Sequence, residues 1–304
     1  MAFRQVFVDG ASAVAMRAGE LEVVVQPADG GRVANLRRGR GREWLRPGRE
    51  GGWVERLTAA PVGQVNGAHE RLHAAVGHHD VAEHVLGVSV ASDVPVPGLP
   101  LLFRRELTVL QTRAAVQVRY ALVHTGGAPI AWIWHPLIVW TGQAGTAVHV
   151  PGLHQVRVGA AQGRDDLEAG DFVAWPGGIG GDAARFRLPE SLPWSLTCHG
   201  DLGPLGRLSV TDPRRGEYAM LFTDAGRVPH VGLAMRSGAG ELDPPTIAAA
   251  PRIGLPDDLA VAVALGTAPV IEAGEERVWG FEIRLGDPEL DEELLLPDAE
   301  PRPA

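Results

Sequence analysis

Apolar and polar side chains alternate along much of this chain with a period of two residues. That period is typical of β-strands, because successive side chains of a strand point to opposite faces of a sheet. The clearest such segments are residues 21–25 (LEVVV), 106–110 (ELTVL), 116–120 (VQVRY), 155–158 (QVRV), 207–211 (RLSVT) and 219–222 (AMLF). Turn-forming glycines, as in residues 29–31 (DGG) and 126–127 (GG), separate them at short intervals.

Helical periodicity is scarce, and glycine and proline are abundant. The chain has 39 glycines and 24 prolines among its 304 residues, and both residue types interrupt long helices. Many short strands without intervening helices indicate antiparallel sheets packed face to face. We therefore predict an all-β protein, with one large antiparallel β-sandwich domain at residues 1–285 and an acidic C-terminal tail at residues 286–304.

The composition of the charged residues excludes several classes of function. All 28 basic residues are arginine, since the sequence contains no lysine. Schiff-base chemistry and the Walker A phosphate loop both need a lysine amine, so neither is available. The net charge at pH 7 is −9, and no basic stripe is visible. We therefore expect no nucleic-acid partner.

The apolar segments and the cysteine content predict the environment of the protein. No run of about 18 apolar residues is present, so we expect no membrane partner. Arg4, Asp9 and Arg17 interrupt the apolar positions near the N-terminus, which argues against a signal peptide and for a cytoplasmic location. Cys198 is the only cysteine, so internal disulfides and cysteine-based zinc clusters are excluded. We expect neither a cofactor nor a bound metal.

A more specific pattern appears near the C-terminus. Residues 250–259 read APRIGLPDDL, and residues 278–285 (VWGFEIRL) form an alternating segment after a turn. This pattern resembles the C-terminal signature of the aldose 1-epimerase (galactose mutarotase-like) superfamily. Residues 23–36 are similar to the opening hairpin of that family, and residues 128–136 (APIAWIWHP) are similar to its strand ending in His-Pro. The resemblance implies the fold of the family, a β-supersandwich.

The resemblance also implies a site that interconverts sugar anomers. In the family, a glutamate in the loop Glu-Pro-x-x-Gly-x-Pro-Asp removes the proton of the anomeric hydroxyl, and an acid protonates the ring oxygen. His135 occupies the position of the His-Pro acid, a role that suits imidazole because its ordinary pKa of about 6.5 lies near working pH. The position of the base is Ala250, whose methyl group cannot accept a proton.

Mutarotase activity would therefore require a different carboxylate. Four acidic residues lie near Ala250 in the sequence: Glu241, Asp243, Asp257 and Asp258. Asp257 belongs to the Pro-Asp turn of the signature, where aspartate usually binds local backbone amides. Glu241 or Asp243 could approach from the preceding loop.

Four further residues are predicted to contact a sugar. The family places a ligand-facing histidine before its central hairpin, and His73 or His79 would fill that role. Trp134 would stack on the apolar face of a pyranose, and Arg252 would bind an acidic or phosphorylated sugar. The alternatives are a surface position for each histidine, core packing for Trp134 and solvent exposure for Arg252.

Residues 69–73 (HERLH) support a competing hypothesis. On a helix, His69 and His73 would share one face and could hold zinc, with Glu70 activating a water molecule. The preceding residues 61–67 (PVGQVNG) are a poor start for a long helix, and no other segment resembles a protease scaffold.

The leading hypothesis is a cytoplasmic carbohydrate-binding protein whose ligand is a monosaccharide or sugar derivative. A non-catalytic sugar sensor or interaction protein is the first alternative, and a zinc hydrolase is the second.

Overall fold

Short β-strands dominate the structure, as the alternating pattern predicts. The computed structural model describes residues 2–48, 51–65, 70–72, 78–182, 185–189, 193–212, 214, 216–236, 238 and 245–286. In chain order the strands are β1 (Ala2–Val8), β2 (Ala11–Ala18), β3 (Leu21–Gln26), β4 (Arg32–Arg38), β5 (Gly52–Val54), β6 (Leu57–Pro61), β7 (Glu70–Leu72), β8 (His78–His84), β9 (Gly87–Pro95), β10 (Leu101–Leu110), β11 (Ala115–His124), β12 (Ile130–Trp134), β13 (Leu137–Trp140), β14 (Ala147–His149), β15 (Gln155–Gln162), β16 (Phe172–Ala174), β17 (Phe186–Arg187), β18 (Ser195–Asp201), β19 (Arg207–Asp212), β20 (Glu217–Thr223), β21 (His230–Arg236), β22 (Thr246–Arg252), β23 (Val270–Ile271) and β24 (Glu276–Gly286). The helical elements of these residues are α1 (Leu259–Ala264) and a 3-10 turn at Gly177–Ile179.

The strands form three antiparallel sheets. The first has eleven strands in the order β1-β2-β3-β4-β5-β13-β22-β21-β18-β15-β16. The second has nine in the order β17-β14-β19-β20-β24-β11-β10-β9-β8, and the third has four in the order β23-β12-β6-β7. All six segments predicted as strands lie within these elements.

The first and second sheets pack face to face. Trp53 on β5 contacts Phe281 on β24, with ring centroids 5.1 Å apart. Both rings belong to a single buried cluster that includes Leu36 of the first sheet and Val109 of the second. Removing apolar side chains from water in this way is the main favourable contribution to folding. The predicted class, an all-β antiparallel sandwich, is confirmed.

The third sheet is joined to the sandwich by aromatic side chains. Trp132 and Trp134 on β12 lie 5.2 and 5.5 Å from Trp279 on β24, measured between ring centroids. Tyr120 on β11 stacks on the same Trp279 ring at 5.5 Å. Such pairs contribute about 0.5–1.5 kcal/mol each beyond their buried area. The cluster therefore holds the end of β12, and with it the position of His135.

A buried carboxylate connects all three sheets. Glu55 Oε1 accepts hydrogen bonds from Trp53 Nε1 (2.9 Å), Tyr120 Oη (2.7 Å) and Arg105 Nη1 (3.4 Å). Its Oε2 accepts one from Trp134 Nε1 at 3.0 Å. A charge in a protein interior is tolerated when it is paired and hydrogen-bonded, and Glu55 meets this condition with four buried donors.

Several predictions made from the sequence involve segments outside the described residues. His69 and His73 lie there, and so do Glu241, Asp243 and residues 287–304. Gly286 is the last residue of β24. The described residues contain no helix with the length and apolar character needed to cross a membrane.

Candidate functional site

Two segments that are far apart in sequence meet at one pair of hydrogen bonds. Trp134 N donates to Ile253 O (2.9 Å), and Ile253 N donates to Trp134 O (2.8 Å). Gly254 follows with a φ of +79°, and a Cβ on it would lie 2.4 Å from Ile133 Cγ2. Only glycine fits this conformation and this space. The close approach places His135 beside the loop that carries Asp257.

A cavity of about 370 Å³ opens at this junction. Along β21 the side chains of Val231, Leu233 and Met235 are buried in the main core, whereas the alternate residues Gly232 and Ala234 line the cavity, so the cavity lies on the face of the first sheet opposite that core. The residues that line it are Arg56, His135, Pro136, Leu137, Ile138, Gly159, Thr197, Cys198, His199, Gly232, Leu233, Ala234, Ala248, Ala249, Ala250, Arg252, Pro256, Asp257 and Asp258.

The floor of the cavity follows from strand register. His199 on β18 pairs with Gly232 on β21, which pairs with Ala250 on β22. Directly paired residues project to the same face of a sheet, so these three form one row across the floor. Arg252 lies two residues beyond Ala250 and therefore also projects to this face. Small residues at 232 and 250 leave the space that the cavity occupies.

Arg252 and Asp257 form the charged part of the site. Arg252 Nη2 donates a hydrogen bond to Asp257 Oδ1. The Arg252 side chain is 10% exposed, and the Asp257 side chain is 61% exposed. Burial raises the pKa of the Asp257 carboxyl, but the positive charges of Arg252 and His135 outweigh it and hold the pKa below its ordinary value. Asp257 is therefore an accessible carboxylate at neutral pH.

The histidines of the site have different surroundings. His135 is buried and its backbone N–H donates to Arg56 O at 3.0 Å. Burial, and then the charge of Arg252, lowers the pKa of His199 to about 4, so its imidazole is neutral at working pH. Burial also lowers the pKa of His230, which bonds Asp201 Oδ1 through Nδ1 at 2.9 Å.

The structure brings together only some of the residues predicted to form the site. His135 and Arg252 both line the cavity, and so does Ala250. Trp134 does not fit the predicted stacking role, because its ring is completely buried in the aromatic cluster and its N–H binds Glu55. His79 lies on β8 in the second sheet, where Nδ1 contacts Ser92 Oγ at 2.9 Å, and it does not line this cavity. His73 lies outside the described residues.

Three residues of the site were missed by reasoning from the sequence. Asp257 was interpreted as a turn residue, but Asp258 takes that role by accepting a hydrogen bond from Val261 N at the start of α1 (3.0 Å). His199 follows Cys198, a thiol whose burial raises its pKa to about 12, and no local pattern marks the histidine as a site residue. No local pattern distinguishes Arg56, which lines the cavity from the short link between β5 and β6.

The zinc hypothesis required residues 69–73 to form a helix. Residues Glu70–Leu72 instead form strand β7, which pairs with β6 through Leu57, Thr58 and Ala59. His69 and His73, the two ligands of that hypothesis, lie outside the described residues.

Comparisons with known proteins identify the fold. At the level of sequence, no protein-family model and no curated protein matches this chain. Among solved structures, a candidate aldose 1-epimerase from Klebsiella pneumoniae subsp. pneumoniae MGH 78578 matches with a TM-score of 0.67 and 9% identity, over 91% of this chain and 79% of that one. A galactose mutarotase-like protein from Lactobacillus casei ATCC 334 matches with a TM-score of 0.63 and 15% identity, over 90% of this chain and 100% of that one. This chain has the galactose mutarotase-like fold.

A third solved structure is matched over its whole length. The mutarotase-like fold of this chain matches a candidate aldose 1-epimerase from Escherichia coli K12 with a TM-score of 0.61 and 13% identity, over 94% of this chain and all of that one. Identities this low concern the shared architecture. The predicted supersandwich is therefore confirmed, and the ligand has to be inferred from the cavity itself.

Proposed function

We propose that this protein binds a monosaccharide or a sugar derivative in the cavity beside His135. The observation that carries the proposal is the convergence of His135 and the Arg252–Asp257 pair on one hollow of about 370 Å³. This volume falls within the range of about 300–1,000 Å³ that is usual for small-molecule sites. The mutarotase-like fold supports a sugar as the ligand class. A cytoplasmic location is part of the same proposal.

The polar groups of the cavity suit a ligand with many hydroxyls. Arg252 donates hydrogen bonds, Asp257 accepts them, and a neutral imidazole such as His199 can do both. Ala248, Ala250 and the other small floor residues add apolar surface, which suits the C–H faces of a sugar ring. Because Asp257 already pairs with Arg252, an anionic ligand would have to compete for that guanidinium.

Thermal unfolding with a panel of neutral aldoses, sugar acids and sugar phosphates tests the proposal. A ligand that binds only the folded protein raises Tm as its concentration increases. We expect at least one sugar to raise Tm, and Ala250→Phe to abolish that rise by filling the floor. Ala91→Phe, at an exposed position of β9 in the second sheet, is the matched control and should keep the response. No rise with any sugar would refute the proposal.

A sugar sensor and an enzyme both require this binding step. They differ in whether the bound sugar exchanges its anomers faster than in buffer, which saturation-transfer NMR measures directly. Binding without faster exchange would favour the sensor or interaction protein.

A further inference from the structure

We infer that a second cavity, separate from the one beside His135, binds a small monocarboxylate with an apolar body. This second cavity has a volume of about 710 Å³ and shares no lining residue with the first. Trp132 on β12 and residues 276–279 of β24 form part of its wall. The residues that line it are Trp132, Gly226, Arg227, Ile253, Pro269, Val270, Glu276, Arg277, Val278 and Trp279.

Two buried indole N–H groups carry this inference. Trp132 and Trp279 are only 2% and 3% exposed, and their ring centroids lie 5.2 Å apart. Nε1 of each ring is buried and has no hydrogen-bond partner among the described residues. Buried donors are nearly always paired, because a donor that has lost its water without gaining an acceptor is costly. We therefore expect an acceptor from outside the chain beside these two rings.

Three other buried tryptophans show how this protein satisfies the same group. Trp53 Nε1 and Trp134 Nε1 donate to the two oxygens of Glu55, and Trp140 Nε1 donates to a backbone carbonyl at 3.0 Å. Trp175 also has an unpartnered N–H, but it lines neither cavity. What distinguishes the second cavity is that two unpartnered donors line the same hollow. One ligand with two acceptor oxygens can satisfy both.

The charges around the second cavity favour a ligand with a single negative charge. Indole and guanidinium groups only donate hydrogen bonds, so the ligand has to supply the acceptor oxygens. Arg227 Nε lies 3.4 Å from Asp224 Oδ2, and Arg277 Nη2 lies 2.7 Å from Glu275 Oε1. Because both arginines already have carboxylate partners and Glu276 also lines the cavity, the positive charge is too small for a phosphate. A carboxylate matches both the donors and the charge.

Apolar side chains account for the rest of the wall. Ile253, Pro269, Val270 and Val278 line the second cavity together with the two indole rings. Burying apolar ligand surface against them favours binding. The volume lies within the range of about 300–1,000 Å³ that is usual for small-molecule sites, and it is far larger than a lone ion needs. The ligand class is therefore a small aliphatic or aromatic monocarboxylate.

The indole N–H signals in ¹H–¹⁵N NMR spectra of the tryptophan-labelled protein test this inference. Charge-assisted hydrogen bonds are strong, and such a bond to a carboxylate moves the N–H proton downfield. The probes are acetate, hexanoate, benzoate and phenylacetate, with benzamide and chloride for comparison. We expect hexanoate, benzoate or phenylacetate to shift the signals of Trp132 and Trp279. The signal of Trp140, whose N–H binds a backbone carbonyl, should not move.

Trp132→Phe keeps an aromatic ring and removes one donor. We expect the variant to bind the carboxylate about 10–100-fold more weakly. Trp140→Phe is the matched control, because it makes the same chemical change away from the second cavity, and it should keep the wild-type affinity.

A second pair of variants tests the charge of the ligand without changing the aromatic cluster. Val270 lines the second cavity and is 36% exposed, so the fold should accept a polar side chain there. Val270→Glu should bind the carboxylate about two- to fivefold more weakly than Val270→Gln, because only the glutamate repels an anion.

Each outcome supports or overturns the inference. If no carboxylate shifts both signals, water satisfies these N–H groups and the inference is overturned. Benzamide or chloride binding as tightly as benzoate would overturn the ligand class, and so would equal affinities of Val270→Glu and Val270→Gln. Unchanged affinity in Trp132→Phe would overturn the role of the indoles. Shifts specific to carboxylates, with weaker binding in Trp132→Phe and Val270→Glu, support it. The result is independent of sugar binding, because the two cavities share no lining residue.

Discussion

The side chain of Arg252 lies directly over the backbone of Gly232 on the neighbouring strand. A Cβ at position 232 would come within 2.5 Å of Arg252 Cδ and 2.7 Å of its Nε. Glycine on β21 is therefore what allows the guanidinium to cross the cavity floor and reach Asp257.

Gly232→Ala should displace Arg252 and break its pair with Asp257. The obstructing atoms belong to a flexible side chain, so we expect the strand to remain and the free energy of unfolding to fall by about 1–3 kcal/mol. Urea unfolding and the sugar-dependent rise in Tm measure the two effects, and we expect a weaker rise. Gly127→Ala is the control, because a Cβ there meets no atom within 4 Å. An unchanged sugar response in Gly232→Ala would contradict the prediction.

Replacing Glu55 should destabilise the whole sandwich. Glu55→Leu would leave four buried donors without their acceptor, including the Arg105 guanidinium, and we expect a loss of about 3–5 kcal/mol in urea unfolding. Glu55→Gln retains one acceptor oxygen and should lose less. In the double variant Glu55→Leu with Arg105→Leu, part of the loss should be recovered, because no buried charge is then left unpaired. A Glu55→Leu variant as stable as the wild type would refute this role.

Glu43 should make stability fall as pH rises. Burial raises its pKa to about 7 from 4.5, although the backbone amides of Leu36 and Leu45 oppose the shift. The folded state therefore holds this proton more tightly, and the contribution of Glu43 to stability is complete below about pH 4.5 and lost as pH rises through about 7. Glu43→Gln should match the wild type at pH 4.5 and exceed its Tm at pH 8. If Glu43→Gln and the wild type had the same Tm at pH 4.5 and also at pH 8, the effect would be excluded.

His199 should have the opposite effect, lowering the stability of the folded state as pH falls. Its pKa is lowered to about 4 from 6.5, first by burial and then by Arg252. The contribution of the neutral imidazole to stability is therefore complete above about pH 6.5 and lost as pH falls towards 4. NMR titration should find His199 neutral at pH 5.5, and Arg252→Gln should raise its pKa. A titration midpoint near 6.5 in the wild type would contradict this.

The strands, the fold class and two of the residues that line the cavity, His135 and Arg252, could be predicted from the sequence. Alternation of side chains is a property of each segment alone, so β3, β10, β11 and β19 were identified without knowledge of their partners. The motif around His135 and the loop at residues 250–259 were identified by their resemblance to a known family.

What only the tertiary structure decided is which side chain faces the cavity. Trp134 and His135 are adjacent in sequence, yet the Trp134 indole is buried against Glu55 and His135 lines the cavity. Asp257 and Asp258 are also adjacent in sequence, and they differ in their contacts, because Asp257 pairs with Arg252 and Asp258 caps α1. Such assignments depend on partners that folding brings from elsewhere in the chain, and no local pattern records them.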